Sequence, residues 1–341
     1  MEFGSDFHSL DYPKGGKTLL EYFPKSNLYT SGRQALLDLT LTRGWKRLWV
    51  PSYFCEDTLN CIPRAGIELC HYNITPLDDP MNVIPSIPVT RDDGMLIVNY
   101  FGLFNKRDFL NIECEIVEDH THSLIGSWAV NSSADWCIAS LRKTLPISDG
   151  GILWSPKNHM LPEKPMPNEI IEEVMAYRET AMNLKRSYLS GECVDKGEFL
   201  KIFSETEEKF DNLPISRISN GSFQILDNID IRTFFSSKHR NWSFLYDSFN
   251  NNQIIKILLP ENSEDCPFSF TVLFKDKDTR NRVRKLLISK SVYPAILWTI
   301  KNNTDESAID FGDRMLSIHC DSRYSLKDME CLIAIIKDSL I

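Results

Sequence analysis

The 341-residue sequence contains no run of about 18 apolar residues, the length a helix needs to span a bilayer. It has no excess of positive charge: 38 Lys and Arg stand against 47 Asp and Glu, a net charge of -9 with a pI near 5.4. That balance provides no general field for nucleic acid or an anionic membrane, so any anionic ligand must be held by a local site. C-x-x-C pairs are missing too. The nine cysteines, an odd number, fall at positions 55, 61, 70, 114, 137, 193, 266, 320 and 331. Several sit in apolar, strand-like runs, which reads as buried reduced thiols and argues against a disulfide framework. The first residues lack the basic and apolar regions of a secretory leader. Internal repeats and low-complexity tracts are absent. These absences together describe a soluble, cytoplasmic protein with no membrane or nucleic-acid partner.

What is present is a chain with enough apolar content, 42%, for a sizeable core, and long enough for two domains or one large domain with an appendage. "SGRQALLDLTLTRG" has helical spacing and stops at Gly44. Six short runs follow: "RLWVPSYF", "IELCHYNI", "GMLIVNYFG", "CEIVEDH", "DWCIASL" and "GGILWS". They are apolar throughout, the pattern of strands buried on both faces in a parallel sheet covered by helices. Residues 166 to 210 read as long helices with one wet face, and "IDIRTFFSSKHRNWSFLYDSFN" as a helix that bridges two domains. After it, "FSFTVLF", "VYPAILW" and "RMLSIHC" read as strands separated by two amphipathic helices, a small α+β unit. The expected division is a large domain over 1–235 and a small C-terminal domain over 236–341.

Ligands of open α/β sheets bind at the carboxyl ends of the strands, which draws attention to "TSGRQAL", "VEDHTHS" and "SLRK". Ser31-Gly32-Arg33 precedes a helix and either caps it plainly or receives a phosphate on its N-H groups. Glu118, Asp119, His120 and His122 offer metal-ligand chemistry, but no third ligand is evident nearby, and no metal is expected. A carboxylate at that strand end pairs equally well with a cationic ring nitrogen, and His122 with a flat aromatic. Lys143 is either a solvated charge or a lysine that bonds a carbonyl.

Taken together, these residues resemble the DegT/DnrJ family of pyridoxal-phosphate (PLP)-dependent sugar aminotransferases. The resemblance lies in the order Ser31-Gly32-Arg33, Pro51-Ser52, Glu118-Asp119 with His122, then Lys143 with Asp149-Gly150-Gly151. "IVNYFG", with Asn99 and Gly102, and the closing "LSIHCDSRYSLKDMECL" extend it over nearly the whole chain. The resemblance implies an α/β type I PLP-transferase fold and a homodimer whose sites are completed across a twofold axis. It implies PLP as cofactor, a nucleotide-linked keto sugar or similar small keto substrate, and glutamate as amino donor. Lys143 would hold the cofactor's aldehyde and move a proton, Asp119 would face the ring nitrogen, and His122 would lie near the ring. Ser31, Gly32 and Arg33 would cradle the phosphate.

The sequence departs from the family pattern in several places. Ser140 stands only three residues before Lys143, and the position for a ring-stacking aromatic falls on Cys55, which leaves Tyr53 or Phe54 for that role. Asn220 survives from an element that reaches across the dimer, but its arginine does not. Lysine at 143 separates the chain from the family's dehydratase branch, where histidine replaces it. The alternative reading is a PLP-fold protein of reduced activity, acting as a ligand-binding or regulatory partner. Trp298, Tyr293 and Arg323 stand where the C-terminal part could close over a substrate, and a structural role fits each of them equally well.

Overall fold

The structure, a computed structural model, describes residues 2–210, 212–301 and 305–341. Its strands in chain order are β1 (Phe3–Gly4), β2 (Ser26–Tyr29), β3 (Arg47–Pro51), β4 (Glu68–Tyr72), β5 (Asp93–Val98) and β6 (Glu115–Asp119). They continue with β7 (Trp136–Ser140), β8 (Gly151–Trp154), β9 (Ile255–Ile257), β10 (Phe270–Phe274), β11 (Val292–Tyr293) and β12 (Met315–Ile318).

Seven strands form one sheet in the order β2-β8-β7-β6-β5-β3-β4. The six apolar runs are β3 to β8, and β3 to β7 are mutually parallel. Alternate residues of β5 enter different cores, Met95 and Ile97 on one face, Leu96 and Val98 on the other. Burial on both faces is why β5 to β8 are apolar without alternation, whereas the edge strand β4 leaves Glu68 and His71 exposed. The reversed strand is β8, antiparallel to both β7 and β2. Its link to β7 is residues 141 to 150, shorter than the dozen or more residues a parallel crossover requires. The edge strand β2 has no counterpart in the sequence reading, because "SNLY" alternates half-buried and buried positions within only four residues.

A three-stranded antiparallel sheet, β12-β10-β9, forms the second unit. Helices Lys277–Ser289 and Leu326–Leu340 contribute Val283, Leu287, Met329, Leu332 and Ile336 to the core around this sheet. "VYPAILW" is a strand only in part. Val292–Tyr293 pairs with β1, Ala295 bridges to Ser317, and the chain then leaves the sheet. Helix Ile231–Phe249 joins the two units: Phe234 and Phe235 lie in the core of the large sheet, Trp242, Leu245 and Phe249 in that of the small one. No helix among the described residues is long and apolar enough to cross a membrane.

Candidate functional site

The parallel strands present their carboxyl ends along one edge of the large sheet, and the chain's polar loops gather there. Helix Gly32–Arg43 starts at that edge. Ser31 is its N-cap, with Oγ accepting from Gln34 N at 3.2 Å, and Gly44 closes it in the left-handed conformation. The start of this helix is packed tightly. A Cβ on Gly32 would lie 3.1 Å from Ser140 N, and one on Gly151 would lie 2.2 Å from the Ser31 carbonyl carbon. Gly150 N donates to Thr30 O at 2.7 Å, while its own carbonyl accepts from Leu141 N at 2.9 Å. The Gly-Gly pair thus brings β8 against the Ser31-Gly32 turn, with no room there for a side chain.

Strand β7 ends at Ser140, and Leu141–Lys143 form a single 3-10 turn, so Lys143 sits one turn beyond the strand. Below the turn, Asp149 is fully buried and accepts from Ser219 N at 2.9 Å and Ser219 Oγ at 2.6 Å. Burial pushes its carboxyl up to about 6, against the pull of these serine hydrogen bonds.

A cavity of about 140 Å³ opens at this edge. Ser31, Gly32 and Arg33 line it from the helix start, Phe54 and Cys55 from the segment after β3. Asp119 and His122 enter from β6, Ser140 and Lys143 from β7. The Asp119 carboxylate is held by Thr121 N, which donates to Oδ1 at 2.8 Å, and Thr121 Oγ1 accepts from Ser140 N at 2.9 Å. His122 Nδ1 accepts from Phe101 N at 3.1 Å, which places a neutral ring's proton on Nε2. The ring is stacked on Phe101 at 5.1 Å and on Trp298 at 5.6 Å. Burial, and then the ammonium groups of Lys143 and Lys238, hold His122 well below its usual pKa, so the imidazole is neutral.

Two of the expected residues lie elsewhere. Tyr53 is buried behind the cavity, its hydroxyl donating to the Leu297 carbonyl and its ring packed on Phe311 at 4.8 Å. Asn220 is exposed at the start of helix Asn220–Leu226, its N-H on Glu172 at 3.1 Å. Phe54 is the aromatic from that stretch that reaches the cavity, 5.7 Å from the Trp298 ring.

Trp298 lines the cavity, with Lys143 Nζ 6.0 Å from its ring. Arg142, Glu207 and Phe210 were not foreseen. Arg142 donates to Glu207 at 2.6 Å and lies 4.7 Å from the Phe210 ring, which closes the cavity with the end of helix Lys196–Phe210. Only the amphipathic pattern of that helix was visible in sequence, and it does not say which partner the helix meets. A second lobe of about 240 Å³ shares His122, Arg142 and Lys143 and adds Arg178 and Arg323. The Arg323 guanidinium is engaged by Asp321 at 2.8 Å and by carbonyls of residues 4 to 6. Tyr293 accepts from Lys196 at 3.1 Å.

The four residues weighed as metal ligands are divided between two places. Asp119 and His122 face the cavity, whereas Glu118 Oε2 meets His120 Nε2 at 2.9 Å and Ser132 Oγ at 2.6 Å, in a buried group with Cys137.

The arrangement of a mostly parallel seven-stranded sheet, one reversed strand and a smaller C-terminal sheet is shared along the full chain with solved aminotransferase structures. Spr1654 of Streptococcus pneumoniae, described as a sugar aminotransferase and solved in its PMP form, superposes with a TM-score of 0.66 at 12% identity, over 100% of this chain and 98% of that one. Helicobacter pylori PseC, an aminotransferase involved in pseudoaminic acid biosynthesis, gives 0.62 at 12% identity over 100% and 99%. A GDP-4-keto-6-deoxymannose-3-dehydratase, ColD, gives 0.60 at 13% over 95% and 93%. At such identities the likeness establishes the fold, and it includes two different chemistries. No protein-family model and no curated protein matches the chain.

Proposed function

We propose that the protein is a PLP-dependent aminotransferase that converts the keto group of a small substrate, a nucleotide-linked sugar or a close analogue, into an amine, with glutamate as donor. The observation that carries this reading is the meeting of Ser31-Gly32, Asp119 and Lys143, from three distant stretches of chain, in one cavity at the carboxyl edge of the sheet. The residues fit the cofactor: Ser31, Gly32 and Arg33 line the cavity from a helix start, and a carboxylate, a flat neutral imidazole and a lysine share the remaining wall.

PLP supplies an aldehyde that bonds amines and a ring that accepts an electron pair. Ser31, Gly32 and Arg33 would hold its phosphate at the helix start, where the helix dipole favours an anion. Asp119, fixed by Thr121, would face the ring nitrogen and favour its protonated form. His122 supports the ring without adding charge. Lys143 would hold the cofactor's aldehyde and would serve as the base that moves a proton. Phe54 and Trp298 exclude water. The site works as a homodimer, with Asn220 serving the neighbouring copy.

The test is the visible spectrum of the protein with PLP before and after borohydride, followed by peptide mass mapping and an assay with glutamate and nucleotide keto sugars. A yellow protein, borohydride-fixed label on Lys143, glutamate-dependent amine formation and loss of all three in Lys143→Ala are expected. A colourless protein, or a label on another lysine, would overturn the assignment. Label on Lys143 without amine formation from any keto sugar would leave the ligand-binding reading in its place.

A further inference from the structure

On the far side of His122 lies a larger cavity, about 460 Å³, which the cofactor reading leaves without a role. Its walls are the loop from His122 to Asn131, one face of helix Ile231–Phe249 and the segment 262 to 266. Lys238 lines it from the helix. This lysine is only 4% exposed, and its ammonium makes no hydrogen bond or ion pair among the described residues. Its neighbours are the faces of Phe268, at 5.3 Å, and Phe235, at 5.5 Å.

Aromatic faces make up only part of the hydration that a buried ammonium loses. Lysines so deeply buried are almost always paired. Lys185, 3% exposed, follows that rule by donating to the Asp6 carbonyl at 2.5 Å. Lys238 does not, although two carboxylates, Glu264 and Asp265, line the same cavity, and neither forms an ion pair with it among the described residues. Both oxygens of Asp265 are committed to Ser127, to its N-H at 2.7 Å and its hydroxyl at 2.5 Å. His239 is likewise occupied, its Nε2 on Ser263 O at 2.9 Å. Arg232 adds a second cation at the rim.

We infer that the Lys238 cavity is a binding subsite for an oxyanion, a phosphate or carboxylate carried by the substrate. His122 is part of the wall of both this cavity and the one that holds Lys143. A substrate with its keto group at Lys143 and an oxyanion at Lys238 therefore spans the histidine. A compact ammonium binds phosphate as a point charge, without the fixed fork of an arginine, which suits a diphosphate linkage approached from the side. That the oxyanion belongs to the keto substrate rests on the proposed function; that the cavity binds an oxyanion does not.

The experiment is calorimetric titration of the PLP-treated full-length chain with inorganic pyrophosphate and, separately, with glutarate, in the original protein, Lys238→Met and Lys238→Arg. At least tenfold weaker binding is expected in Lys238→Met, with partial recovery in Lys238→Arg and the same visible spectrum in all three. Dependence on Lys238 for pyrophosphate alone identifies phosphate, and for glutarate alone, carboxylate. The inference is overturned if neither anion binds the original protein, or if Lys238→Met binds both as tightly. Should Lys238→Met fail to fold, Lys238→Gln takes its place under the same criterion. A chain that stays colourless with PLP counts against the proposed function alone, because the dependence of anion binding on Lys238 is read without turnover.

Discussion

Gly151 carries a constraint that no other residue type can meet. Its missing Cβ would sit 2.2 Å from the carbonyl of Ser31, inside the backbone of the turn that starts helix Gly32–Arg43. Neither neighbour is a flexible side chain, so the strand or the turn must move. Overpacking of this kind costs about 1–3 kcal/mol, and more where backbone is the obstacle. Gly151→Ala is therefore expected to lower the denaturant midpoint and weaken PLP binding together, since the turn that shifts is the one proposed to hold the phosphate. Chemical unfolding and spectral titration with PLP measure the two effects. A variant that loses stability but binds PLP as before would separate the turn from the cofactor.

At the scale of elements, the ten-residue connection from β7 to β8 explains how the lysine is presented. The strand stops at Ser140, one 3-10 turn lifts Lys143, and Asp149 fixes the returning chain to Ser219 at the start of helix Asn220–Leu226. Burial raises the Asp149 carboxyl from 3.8 to about 6, so the folded chain binds this proton more tightly than the unfolded one. Stability from this group is thus complete below pH 4, falls as pH rises towards 6, and is constant above; the difference reaches up to roughly 3 kcal/mol. Asp149→Asn lacks the ionisation, so its stability relative to the original chain is expected to rise between pH 4 and 7 in urea unfolding. Parallel pH profiles would mean that Asp149 titrates normally.

The same elements show what a linear reading can reach. The apolar runs of β5 to β8 were legible because burial on both faces leaves a mark on nearly every residue. The order Ser31, Asp119, Lys143 was legible because each follows an element end. Strands β2 and β9, of four and three residues, are too short for a period to register. Tyr53 and Phe54 were offered as alternatives because adjacent residues cannot be told apart by spacing; the turn after β3 sends Phe54 to the cavity and Tyr53 to Leu297. Arg142 with Glu207, 65 positions apart, and Lys238 behind His122 are tertiary meetings without local trace.

At the scale of the whole molecule, apolar side chains are left uncovered beside Asn220. Met166 is 76% exposed and Ile170 60%. Met166 and Ile170 belong to this neighbourhood because Arg217 N donates to Met166 O at 3.0 Å and Asn220 N to Glu172, two residues after Ile170, at 3.1 Å. Clustered exposed apolar groups next to a residue assigned to a neighbouring site are what an isologous interface requires, since the same patch then covers itself across a twofold axis. The proposed homodimer therefore predicts sedimentation at twice the 39.3 kDa chain mass, and a shift of Met166→Asp to the single-chain mass, because two like charges would meet near the axis. The helical signal in circular dichroism should persist in that monomer, as Met166 contributes to no core cluster. A native chain that sediments at 39.3 kDa, or a Met166→Asp dimer of undiminished affinity, would remove this face from the interface and leave Asn220 a purely structural residue.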